Sequence, residues 1–125
     1  MRYKLTIPGT LPGLNDYTDM NRKNRYAAAQ MKKKTQQLIA YCIMQQLRSV
    51  HFEKPVKIAF TWHEPNRKRD KDNIAFAKKF IFDALVESGV IPNDGWKNVD
   101  SFSDDFSVDN ENPRVEVEII EVEED

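Results

Sequence analysis

Residues 55–89, PVKIAFTWHEPNRKRDKDNIAFAKKFIFDALVESG, decide the fold, because the apolar period changes inside them. From 55 to 62 the pattern alternates. Val56, Ile58, Phe60 and Trp62 fall on one face and Lys57, Ala59 and Thr61 on the other, which predicts a half-buried strand ended by Pro65. From about 72 to 88 the period lengthens. On a wheel of about 100° per residue, Ala77, Ile81 and Ala84 gather on one side with Ile74 and Leu85 flanking them, which predicts a helix. Asp70 or Asp72 suits its N-cap, Gly89 its end, and Pro92 lies beyond. Strand and helix are joined by a loop, NRKRDKDN, that is almost entirely charged.

Working outward, residues 2–7 alternate, with Tyr3, Leu5 and Ile7 on one side, and predict a first strand. Residues 8–16, PGTLPGLND, carry breakers and read as a loop. Residues 25–50 hold the longest helical pattern, with Met31, Leu38, Ile39, Cys42, Ile43, Leu47 and Val50 as its core-facing stripe and Lys32, Lys33 and Lys34 near its start. Residues 99–107 and 113–122 read as two closing strands, expected to form an antiparallel hairpin with a long polar connection. The order β-α-β-α-β-β predicts an α+β fold, a small mixed sheet with two helices on one face. The step from residue 2 to 62 predicts parallel neighbouring strands with a right-handed crossover. One domain over 1–125 is expected, with the acidic tail at about 122–125 frayed.

The chain has 125 residues, 40% hydrophobic, which suits one packed core and argues against wholesale disorder. Its one cysteine, Cys42, allows no intrachain disulfide and fits a reducing compartment. The N-terminus MRYKLTIPG lacks the apolar run of an export signal, and no apolar stretch reaches the ~18 residues of a membrane span, so a cytoplasmic protein is expected. The net charge of −1 hides a split: residues 1–79 carry 17 Lys+Arg against 6 Asp+Glu, and residues 80–125 carry 2 against 14. Such asymmetry is a signature of a polyanion partner for the basic half; mutual neutralisation of the halves in the folded state is the alternative.

Asp70 and Asp72 stand among Arg67, Lys68, Arg69 and Lys71 at a strand-to-helix junction. One carboxylate suffices for a cap. Two, ringed by cations, suggest a hard cation such as Mg²⁺ with phosphate groups nearby to meet the Arg and Lys side chains. A capping aspartate in a solvated charged loop is the other reading. A calcium loop fails: Ile74, Ala75 and Ile81 stand where Asp or Asn, Gly and Glu are needed. Zinc fails too, since Cys42, His51 and His63 are too few ligands and too scattered. Asp94, in the tight loop IPNDGWKN, is a third carboxylate. A helix over 72–88 spans about 24 Å, so Asp94 must fold back or come from a second subunit. The same wheel places Asp72, Lys79 and Asp83 on a polar stripe opposite the core, with Lys79 and Asp83 an i,i+4 pair.

RKRDKDN followed by a helix ending FDALVESGVIPND resembles the RusA family of Holliday-junction resolvases, many of them encoded by phages or prophages. The likeness runs through most of the chain. The resemblance implies a small α/β homodimer that binds branched double-stranded DNA and makes paired nicks with Mg²⁺ or Mn²⁺, in DNA recombination and repair. It puts the acidic motif on Asp70, Asp72 and Asp94, the helix asparagine on Asn73, and the opening-loop asparagine on Asn15. The family's helix lysine falls on Phe76 counted forward from Asp-x-Asp-Asn, and on Lys79 counted back from Phe82-Asp83-Ala84-Leu85. Lys79 is preferred because it shares the stripe of Asp72, with Lys78 second. Arg67, Lys68, Arg69, Lys71, Lys78, Lys32 and Lys33 are the expected DNA-backbone contacts. Trp96 has two readings, stacking on a base or packing, and His63 two, a phosphate contact or a strand-end role. An inactive DNA-binding module and a protein-interaction domain are the rival functions.

Overall fold

Eight elements form, described over residues 1–122 in a computed structural model. They run β1 (Arg2–Pro8), α1 (Leu14–Lys23), α2 (Arg25–Gln46), β2 (Val56–Glu64), α3 (Lys71–Ala75), α4 (Lys78–Glu87), β3 (Val99–Val108) and β4 (Arg114–Glu121). The α+β class and the mixed four-stranded sheet are as expected; the helix expected over 25–50 forms as α2, and the one expected over 72–88 is divided into α3 and α4. Of the expected frayed tail, Val122 donates its N–H to the Pro55 carbonyl at 2.8 Å, and residues 123–125 lie outside the described residues.

The alternating residues of β2 and β4 are buried, as are Leu5 and Ile7 of β1, whereas Tyr3, expected with them, is 37% exposed. Val56, Ile58, Phe60 and Trp62 of β2 and Val115, Val117 and Ile119 of β4 are buried against Ile39, Cys42 and Ile43 of α2 and Ile81, Ala84 and Leu85 of α4. Removing this apolar surface from water is the main drive for the fold, about 1.5–3 kcal/mol for each large side chain. The opposite sheet face is polar, and there Glu116 meets Lys4 at 2.7 Å and Arg114 at 2.9 Å.

The sheet order is β1-β4-β2-β3. Two topological expectations are corrected by it. The closing strands are no hairpin: β3 pairs parallel to β2, and β4 lies antiparallel to β2 on its other side. Nor are β1 and β2 neighbours, since β4 separates them, antiparallel to both. The reason is burial. The inward faces of β2 and β4 are the most apolar, and central positions bury them fully, whereas β3 has no fully buried residue and takes an edge. The segment after β3 crosses the end of β2, where the Asp109 N–H donates to the Glu64 carbonyl at 2.8 Å.

Helix α1 was not expected. It contains no fully buried residue and so writes no apolar stripe. Asp16 in its first turn and Arg22 and Lys23 in its last oppose the helix dipole correctly. Asn24, with extended backbone, ends it and caps α2, its Oδ1 accepting from the Tyr26 N–H at 2.9 Å. In α2 the buried stripe is Ala28, Thr35, Ile39, Cys42 and Ile43, while Leu38, expected in it, is 40% exposed.

Candidate metal and nucleic-acid site

β2 delivers its chain to the site at Glu64, two residues past the expected end of the strand. Glu64 is only 7% exposed. Its carboxylate is held by Arg69 in a two-pronged pair, Nε to Oε1 and Nη2 to Oε2, each 2.9 Å. The same guanidinium donates from Nη1 to the Leu11 carbonyl at 3.0 Å. Arg69 therefore closes the charged loop and fastens the opening loop to it. Paired this way inside the protein, it is a clamp more than a free cation for DNA.

A second fastening lies beside the first. Asn73 is 9% exposed, and its Oδ1 accepts the Asn15 backbone N–H at 2.8 Å. Gly13 sits so close that a Cβ there would lie 2.5 Å from Asn73 Oδ1 and 2.8 Å from the Asn73 carbonyl oxygen. Its hydrogen atom is what lets α1 dock on α3. The structure thus brings Asn15 and Asn73 together, but through the backbone of Asn15.

Asp70 is the N-cap residue of α3, yet its side chain makes no capping hydrogen bond. That removes the capping reading for this carboxylate. Asp72 is exposed in the first turn of α3. Both line an open cleft of about 860 Å³ between the charged loop and the end of β3, with Arg67, Lys71 and Phe106 also on its walls. Lys71 Nζ lies 5.6 Å from the centre of the Phe106 ring. Lys68 is exposed on the loop, which is tightened by its N–H donating to Asn66 Oδ1 at 3.0 Å.

Asp94 does not join the pair. It is exposed beyond α4, and among the described residues no three His, Cys, Asp or Glu side chains of one chain gather as a metal site. The expected lysines separate as well. Lys78 is half-buried, ion-paired to Asp104 of β3, and its Nζ stands 4.4 Å from the centre of the Phe102 ring. Asp104 also accepts from Trp62 Nε1 at 2.9 Å, so Lys78 is part of the packing of α4 on β3. Lys79 is exposed.

The single expected helix is broken at Phe76–Ala77. Ala77 N–H bonds Ile74 at 3.3 Å and Lys79 N–H bonds Phe76 at 3.2 Å, three-residue bonds that tighten the turn. The angular count from Asp72 cannot be carried past them. Asp83 is accordingly turned toward α2, where its Oδ2 accepts from Gln36 Nε2 at 3.3 Å in place of the expected pair with Lys79. Lys32 and Lys33 line a separate groove with Glu87, away from the aspartates.

The donor set fits a hard divalent cation. One or two carboxylates are what Mg²⁺ commonly takes from protein, with water and phosphate supplying the rest, and Asp70, unused as a cap, and Asp72 both line this cleft. Glu64 and Gly13 were missed in the sequence: a glutamate at a strand end and a Pro-Gly dipeptide carry no sign of the groups they meet in space.

An acidic pair in a cleft also lined by Arg67, Arg69 and Lys71, at a strand-to-helix junction, has a charge pattern suited to phosphate esters. Residues 11–120 match the family described as Endodeoxyribonuclease RusA, and the chain belongs to that family of DNA-cutting enzymes. No curated protein matches the chain. Among the described residues no helix is long and apolar enough to cross a membrane.

Proposed function

We propose that this protein is a structure-selective endonuclease that resolves four-way DNA junctions by paired nicks, using Mg²⁺ with Mn²⁺ as a substitute. The observation that carries the reading is that Asp70 and Asp72 line one cleft, the first with its side chain making no capping hydrogen bond. Asp70 and Asp72 hold the cation. A cation held there would supply polarisation of a phosphoryl oxygen and a lowered pKa for water.

Arg67 and Lys71, which line the same cleft, and exposed Lys68 between them in the loop position the phosphate backbone. Arg69 and Asn73 act behind them by fixing the loop, so their contribution to DNA binding is positional. Lys79 is exposed and remains the lysine we assign to offsetting charge on the scissile phosphate; Lys78 is engaged by Asp104. Asp94 completes the acidic set from a second protomer, which makes a two-fold homodimer the working unit and matches the near two-fold symmetry of a four-way junction. Lys32 and Lys33 extend the basic surface to junction arms outside the cleft.

Purified protein incubated with a synthetic four-way junction tests this. Symmetric nicks with Mg²⁺ or Mn²⁺ and none in EDTA are expected. Tight binding without cutting under every metal would leave an inactive DNA-binding module. No junction affinity even at low salt would point to a protein-interaction domain.

A further inference from the structure

Trp96 is fully exposed, at 100%, the extreme among the large apolar side chains. A single exposed apolar side chain is ordinary, but an indole presents a flat, amphipathic face suited to stacking. Its loop is not slack. Asn93 Oδ1 accepts the Gly95 N–H at 2.8 Å, and the Gly95 carbonyl accepts from the N–H groups of Asn98 at 3.1 Å and Val99 at 3.0 Å. These bonds fix a turn between α4 and β3 that carries the indole outward, with exposed Asp94 and Lys97 within two residues.

The surroundings select the occupant. A protein partner would need an apolar patch around the ring for exclusion of water. Its sequence neighbours Asn93, Asp94, Gly95, Lys97 and Asn98 contribute none. The flat face of a nucleobase needs only an aromatic surface, and every base has one.

We infer that Trp96 stacks on an unpaired or unstacked base of the DNA substrate, reading strand opening where the charged loop reads phosphate. The inference rests on the proposed endonuclease function. It gives the loop of Asp94 a second task, to register the branch point.

Fluorescence titration in EDTA tests it, with a four-way junction and a linear duplex of the same sequence as probes. The chain has two tryptophans, and Trp62 is 2% exposed and bonded to Asp104, a constant background. The junction should quench Trp96 and shield it from acrylamide. Trp96→Ala should weaken junction binding about 10-fold and leave duplex binding unchanged, Trp96→Phe should restore most of the loss, and Trp96→Leu should not. DNA bound with the Trp96 emission unaltered, or full rescue by leucine, overturns the inference and leaves the nuclease reading standing. A smaller sedimenting species for Trp96→Ala overturns it in favour of a self-interface. Failure of the parental protein to bind either DNA removes the functional reading and this inference together.

Discussion

Arg69 shows what a single residue contributes to this site. Its guanidinium binds Glu64 by two bonds and Leu11 by a third, at the root of the loop that carries Asp70 and Asp72. Removing it leaves a buried glutamate without its partner. Arg69→Ala should cost about 2–4 kcal/mol of stability in urea unfolding. Arg69→Lys should recover only part, because an ammonium cannot reproduce the two-pronged bond. Gly13→Ala should cost about 1–3 kcal/mol by forcing a methyl into Asn73, read as a lower midpoint in the same experiment. At this scale the aspartates were legible, since two carboxylates among cations at a junction need no tertiary information to stand out. Arg69 was read as a DNA contact because charge is visible in a sequence and the direction of Glu64 is not.

Among the elements, legibility followed burial. β2 and β4 have alternating apolar residues and were found, whereas α1 buries none of its side chains completely; its start was read as loop and the rest was assigned no element. Strand order was the weakest reading, because alternation says which face is inward and nothing of which strand sits beside it. The break at Phe76–Ala77 was likewise silent: both residues suit a helix, and the tight turn arises from tertiary packing. Phe60 lies fully buried in β2 between helix and sheet, so Phe60→Ala should cost about 3–5 kcal/mol. The polar sheet face adds a pH dependence. Arg114 holds the Asp109 carboxyl below its ordinary value, and Lys4, with Arg114, does the same for Glu116. Acids depressed in the folded state stabilise it above their unfolded pKa of about 4. That stability is lost as pH falls through the folded values. Urea midpoints should therefore fall below about pH 4, and Arg114→Met should flatten the decline.

The whole molecule divides its charge, with 17 of the 19 Lys+Arg in residues 1–79, and that basic half carries the charged loop. Junction affinity should consequently fall steeply with salt, and Lys71→Ala should reduce the slope by about one counterion. The placement of Asp94 outside the cleft has its own consequence. If the second protomer supplies it, mixing Asp70→Asn with Asp94→Asn protein forms hybrids with one intact site, and single nicks should return; if each chain is self-sufficient, the mixture stays inert. The central claim is that Asp70 and Asp72 hold the ion that cuts DNA. The direct measurement is junction binding and junction cutting by Asp70→Asn, side by side with the parental protein in Mg²⁺. The account predicts binding within a few-fold of parental and cutting reduced at least ~100-fold, about 2.7 kcal/mol or more in transition-state stabilisation. Cutting at the parental rate with binding intact would contradict it.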